Sequence, residues 1–99
     1  MVASVTAWTF KAGSDDQVRQ KNLDIVWPLL QRQPGFVRAY AIHESDGRWV
    51  TVMFYDSAEL RDAAMQAISG PMREHLGAFV EGMERHMGEV EHEAGAAER

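Results

Sequence analysis

The stretch "FVRAYAIHESDGRWVTVMFY", residues 36–55, constrains this chain more than any other. Strand-forming residues run up to "ESDGR" and resume after it, which reads as a hairpin with strands over Phe36–His43 and Arg48–Tyr55. Gly47 supplies the residue that can take positive φ in the turn. Together with the opening segment "VASVTAWTF", strand parity places Val5, Ala7, Val37, Ala39, Ala41, Val50, Val52 and Phe54 on one face of a sheet. It places Trp8, Phe10, Arg38, Tyr40, Ile42, Trp49, Thr51, Met53 and Tyr55 on the other. A sheet with one solvated face shows polar alternation. Neither face here is polar enough for water, so both need cover. Helices of the same chain can cover one, and a second copy is the simplest cover for the other.

The remaining segments supply those helices. The first strand is expected over about residues 2–11. Ser14 and Gln17 have capping-box spacing, so a helix should begin near Asp15 and carry Val18, Asn22, Ile25, Val26, Leu29 and Leu30 on one face. Pro28 removes a backbone donor and predicts a kink near residues 24–28; Pro34-Gly35 ends the helix. After the hairpin, Asp56 or Ser57 should cap a helix over Ala58–Ile68, with Glu59 completing a box with Asp56. Gly70 should interrupt it, and Pro71 should open a further helix to about His86, striped by Met72, Leu76, Phe79, Val80, Met83 and Met87. "MGEVEHEA", residues 87–94, reads as a fourth strand whose only strongly strand-forming residue is Val90. The order β-α-β-β-α-(α)-β is the split pattern of α+β, ferredoxin-like domains with a four-stranded antiparallel sheet. One domain is expected over residues 1–94, followed by a flexible tail over 95–99.

Composition excludes several functions. The net charge of −5 argues against nucleic acid as the main partner, because phosphate binding needs a basic face. No apolar run is long enough to span a membrane, and the N-terminus lacks a secretory pattern. The absence of cysteine removes disulfides, thiolate nucleophiles and Cys-ligated zinc, and suits a cytoplasmic location. HExxH, phosphate-loop and dinucleotide motifs are missing, so neither a metal nor a cofactor is expected.

Four features carry a resemblance: "VTAWTFKAG", "QPGFVRAY", "YDSAEL" and "SGPMREHL". In that order and spacing, residues 2–94 resemble the antibiotic biosynthesis monooxygenase-like family of dimeric α+β barrel proteins. The resemblance implies a homodimer with helices outside, a pocket between sheet and helices in each subunit, and often a cofactor-free oxygenase. The family also holds haem-degrading enzymes and an isomerase, so the fold does not fix the reaction. The chain departs from the family pattern in carrying Tyr55 where a Trp is frequent, and in lacking a His in "RDAAMQA". The haem-degrading branch resembles it at His75, one residue early, but its Asn and Trp are replaced at about Thr6 and Ala67. One feature of three is present, which speaks against haem degradation.

The residues that could carry chemistry follow. Arg38 and Tyr40 could orient and stabilise a phenolate or enolate, or else pair and pack at a dimer rim. His75 could act as general base, with Tyr55 holding a water; the alternative is a surface helix histidine. Trp8, Trp49, Met53 and Phe79, with Tyr55, could wall a pocket for a small aromatic molecule, or pack as core. Trp27 is read as packing, and His43, His86 and His92 as exposed. The expected function is a cofactor-independent monooxygenase acting on an aromatic or polyketide-type substrate. An isomerase or cyclase in the same pocket and a non-catalytic binding dimer are the alternatives.

Overall fold

The structure, a computed structural model, describes residues 1–97. The elements are β1 (Val2–Phe10), α1 (Asp15–Lys21), α2 (Trp27–Gln31), β2 (Phe36–Ser45), β3 (Arg48–Tyr55), α3 (Ala58–Leu76) and β4 (Val80–Glu89). The four strands form one antiparallel sheet in the order β2-β3-β1-β4, the ferredoxin-like arrangement expected from the element order. β1 is central, and its alternation decides the inner face: Val2, Ser4, Thr6, Trp8 and Phe10 are all buried under the helices. Across from them on β3 stand Tyr55, Met53, Thr51 and Trp49. The core lies between this face and the helices, in two clusters. One gathers Trp8, Phe10, Val18, Val26, Trp49 and Leu76; the other gathers Val2, Leu30, Tyr55, Ala64 and Ile68. The tail expected over 95–99 reaches outside the described residues, and residues 90–97 carry no helix or strand.

The face expected for β2 is reversed. A regular continuation from the Ser45–Arg48 pair would set Glu44 opposite Trp49, and hence Tyr40 opposite Met53. Instead His43 pairs with Trp49, and Glu44 is the extra residue of a β-bulge. A one-residue slip turns every following side chain over. Ala39, Ala41 and His43 therefore face the helices, while Arg38, Tyr40 and Ile42 stand opposite Phe54, Val52 and Val50 on the outer face. A second irregularity at Val37 returns Phe36 to the inner face, where its ring meets Tyr55 edge-on at 6.0 Å.

The helices differ from expectation in three places. Ser14 precedes α1 without a side-chain cap; its hydroxyl donates to the Lys11 carbonyl at 2.6 Å, so the Ser14–Gln17 box is not formed. Between α1 and α2 the kink takes the form of a π-helical turn over Asn22–Val26, with the Trp27 N–H bonded to the Asn22 carbonyl. Pro28 accounts for it: its ring would clash with the carbonyl four residues back, and a wider turn moves that carbonyl aside. In α3 the cap is Ser57, which accepts from Leu60 N–H at 3.2 Å. Gly70 and Pro71 do not divide the helix. Ile68, Met72 and Leu76, spaced four apart, keep one row on the sheet through them.

The largest correction is β4. The predicted helix to His86 stops at Leu76, a 3₁₀ turn follows over Gly77–Phe79, and the strand expected at 87–94 begins at Val80. Phe79, Val80, Met83 and Met87 are thus not a helical stripe. The Glu, Met and Arg residues of this segment favour helix locally, but β1 offers a free ladder edge that tertiary pairing fills. Residues 91–94 lie beyond the strand, although Val90 N–H still donates to the Met1 carbonyl at 2.9 Å.

Candidate active site

Two clefts open between the sheet and the helices. The first, about 360 Å³, lies under α1, the π-turn and α2. Its walls include Trp8, Phe10, Trp27, Trp49 and Met53. The second, about 310 Å³, lies between α3 and the β1–β4 pair, and is lined by Ser4, Thr6, Met65, Arg73, Met83 and Arg85 among others. Trp8, Met53, Met72 and Leu76 border both and form the wall between them.

The aromatic cleft is built on fixed rings. Trp8 donates from Nε1 to Thr51 Oγ1 at 3.0 Å and stacks on Phe10, with centroids 5.6 Å apart. Trp49 donates from Nε1 to Asp15 Oδ1 at 3.0 Å. The same Asp15 oxygen accepts from Gly47 N–H at 3.0 Å, and Oδ2 lies 2.9 Å from His43 Nε2. The Trp49 bond is the main reason the Asp15 carboxyl sits below the usual range; burial opposes it, while Gly47 and His43 add to it. His43 stacks on Trp49 at 4.2 Å, and the Arg19 guanidinium lies 5.2 Å from the Trp49 ring centre. Asp15 thus ties the start of α1 to the β2–β3 hairpin.

The second cleft is organised by charge. Arg85 stands opposite Thr6 in the β1–β4 ladder and donates from Nε to Thr6 Oγ1 at 3.0 Å. Burial pulls its pKa down, partly offset by the Tyr55 phenol. Among the described residues, no carboxylate lies within ion-pairing distance of it. A half-buried guanidinium that satisfies a neutral hydroxyl, with apolar walls and Arg73 near it, is suited to hold an anion.

The predicted site residues are distributed unevenly. Trp8 and Met53 border both clefts, and Trp49 borders the aromatic one. Trp27, read as packing, also borders it. Tyr40 reaches its rim from the edge strand, but with Arg38 it belongs to the outer face, in a hollow with Phe54, Val90, His92 and Glu93. Tyr55 is fully buried beneath α3; its hydroxyl donates to the Met53 sulfur at 3.5 Å, and burial pushes its pKa up against the pull of Arg85 and Arg61. His75, in the last turn of α3, lines neither cleft and lies 3.8 Å from Glu74. Phe79 packs on the Trp8 cluster from the 3₁₀ turn. His43, His86 and His92 are exposed as expected, and His43 is also engaged by Asp15. Arg85, Thr6, Asp15 and Thr51 escaped sequence reading. Arg85 was hidden by the helical reading of residues 80–86, which gave it no strand face.

No protein-family model and no curated protein sequence matches this chain. Solved structures do. SnoaB, a cofactor-independent oxygenase from Streptomyces nogalater, is similar with a TM-score of 0.78 and 19% identity, over 93% of this chain and 94% of that one. The monooxygenase from ActVA-Orf6 of Streptomyces coelicolor, in complex with nanaomycin D, is similar with a TM-score of 0.80 and 16% identity, over 97% and 92%. The haem-degrader MhuD from Mycobacterium tuberculosis is similar with a TM-score of 0.73 and 16% identity, over 96% and 100%. The chain has the fold of these proteins over nearly its whole length. Among the described residues, no helix is long and apolar enough to cross a membrane.

Proposed function

We propose that this chain is a cofactor-independent oxygenase of small aromatic, polyketide-type molecules, acting in the cytosol as a homodimer, with its reaction in the arginine cleft. Arg85 carries this reading: it is half-buried, bonded to the Thr6 hydroxyl and, among the described residues, without a carboxylate partner. Water is displaced from such a charge only at a cost, which an anionic ligand would offset. A phenol or anthrone whose oxygen meets Arg85 would ionise more readily, and the delocalised anion is electron-rich.

The anion passes one electron to O2, the carbon radical and superoxide combine, and the hydroperoxide loses water to leave a carbonyl. Net, a CH2 becomes C=O; one oxygen atom enters the product and the other leaves in water. The substrate itself supplies the electrons. The protein binds the flat ring against Trp8 and Met53, stabilises the anion with Arg85 and Arg73, and limits water. His75 lies outside the lining, so the proton passes to water at the open side of the cleft, and water returns a proton to the peroxide anion to give the hydroperoxide. The activities named for the two Streptomyces proteins of the same fold support this reading.

The dimer is supported by the outer face of the sheet. Val5, Val50, Val52 and Phe54 line it, and Tyr40 and Ile42 on it are 52% and 50% exposed. A second copy would cover this row and bring Arg38 and Tyr40 into the interface.

The test is oxygen uptake with a hydroxylated anthrone, comparing the wild type with Arg85→Met. Oxygen-dependent turnover that collapses in the variant supports the proposal; unchanged turnover overturns it. Turnover that persists under nitrogen would assign the same anion-holding groups to an isomerase or cyclase.

A further inference from the structure

We propose that Met83 is an oxidation site that closes the arginine cleft: its thioether takes an oxygen atom from a hydroperoxide in the cleft, and the resulting sulfoxide occupies Arg85. The inference rests on the oxygenase reading for its source of hydroperoxide and for the work of Arg85. Four of the six methionines of the chain, Met53, Met65, Met72 and Met83, line this cleft. The chain has no cysteine, so its thioethers are the side chains that a peroxide oxidises first.

Of the four, Met83 is the open one. It is 49% exposed, whereas Met53, Met65 and Met72 are half-buried. The Met53 sulfur also accepts from the Tyr55 hydroxyl at 3.5 Å. β4 is an edge strand, and Met83 pairs with Trp8, so its side chain enters the cleft from the rim. The dimer proposed above uses the outer face of the sheet and leaves this rim uncovered. Arg85 follows two residues later on the same face, opposite Thr6. Alternate residues of a strand lie about 7 Å apart along the backbone, a gap that two long side chains bridge.

In the step itself, the Met83 sulfur attacks the outer oxygen of the hydroperoxide. An S–O bond forms, the O–O bond breaks, and the departing alkoxide takes the hydroperoxide proton to leave as an alcohol. Sulfur is oxidised by two electrons and the peroxide is reduced by two. A flexible apolar wall residue becomes a polar one with a strong acceptor oxygen. Arg85 has its Nε on Thr6 and, among the described residues, no carboxylate partner, so its other N–H groups can donate to that oxygen. A guanidinium engaged in this way no longer meets a phenolate. The cleft thus shuts when hydroperoxide outlives its dehydration, and reduction of the sulfoxide reopens it.

The test treats the full chain with tert-butyl hydroperoxide, maps each methionine by peptide mass and follows 4-nitrophenolate binding by absorbance. Met1 and Met87, 44% and 51% exposed, lie outside the cleft and serve as internal controls. Once Met83 is converted, the affinity for nitrophenolate should fall at least about tenfold. Treated Met87→Leu should fall equally, while treated Met83→Leu should keep the affinity it had before treatment. The proposal is overturned if the chain with Met83 fully oxidised binds nitrophenolate as the untreated chain does, if treated Met83→Leu loses affinity as the wild type does, or if the untreated chain does not bind it. In a second arm, anthrone turnover without added peroxide should oxidise Met83 at least about tenfold faster than Met1 and Met87, because the hydroperoxide forms beside it. Equal rates overturn the proposal, since exposure alone would then account for them. Absence of anthrone turnover overturns the oxygenase reading, while the first arm still decides whether the Met83 sulfoxide closes the cleft, so the two can fail separately.

Discussion

The two clefts share a wall and a roof, yet one is aromatic and the other is charged. Both rest on β1, and Met72 and Leu76 of α3 border both. They differ in the strand beside β1. On one side β3 and β2 add Trp49, Ala39 and Ala41; on the other β4 adds Met83 and Arg85. The comparison teaches that the chemistry of a sheet face is set pair by pair across strands. Trp8 is opposite Trp49 on one side and Met83 on the other, while Thr6 is opposite Thr51 and Arg85. One row of β1 thereby serves two environments. In the aromatic cleft the polar bonds fix rings; in the other, the Arg85 guanidinium has no carboxylate partner among the described residues.

The sharpest way to break this comparison is to remove the charge. Arg85→Met should lower kcat on an anthrone by about 10²–10³-fold, the cost of losing one well-placed anion donor, while the tryptophan emission of the aromatic cleft stays as in the wild type. Steady-state oxygen uptake read beside the tryptophan emission spectrum checks both halves.

The aromatic cleft can be broken instead through the hairpin. Gly47 has φ +74, and a Cβ there would lie 2.5 Å from the Phe10 carbonyl oxygen, a backbone atom with little room to move. Gly47→Ala should cost roughly 1–3 kcal/mol or more and lower Tm accordingly in a thermal melt. Below its Tm, the variant's tryptophan emission should change before its oxygen uptake does, because Gly47 anchors Asp15, the partner of Trp49, and not Arg85.

Acid should sharpen the contrast. The Asp15 carboxyl titrates below its usual range in the folded chain, so the folded state binds that proton less readily than the unfolded one. Its stabilising contribution is present above the ordinary carboxylate pKa and is lost as pH falls through the lowered value. Urea midpoints of Asp15→Asn should therefore be lower than those of the wild type near neutrality, and the gap should narrow towards pH 3. The smallest effect is expected from Ser57→Ala. Losing that cap should cost about 1 kcal/mol by thermal melting and should not favour one cleft over the other, since α3 borders both.

Much of this architecture was legible in the chain. The β3 boundaries and a cap for α3 at Asp56 or Ser57 follow from local signals, since turn residues and caps act within a few positions; α1 also starts at Asp15, although the Ser14–Gln17 box expected to start it does not form. The pocket walls Trp8, Trp49 and Met53 were legible through simple alternation on β1 and β3, which run without interruption through these positions. The pairing of Arg38 and Tyr40 with those walls was not, because one bulged residue, Glu44, reverses the strand without leaving a turn signal. Arg85 was not legible either, because its segment carries helix-favouring residues and becomes a strand only on meeting β1.

By itself, then, the sequence determined the element types up to Leu76, the apolar character of both sheet faces and the aromatic wall, all of which depend on neighbours within a turn or a strand. The tertiary structure decided the register of β2, the identity of β4, the opening of the π-turn over a cleft and the isolation of Arg85. Each of those depends on a partner distant in the chain, whose backbone ladder or packing surface overrides the preference of the segment alone.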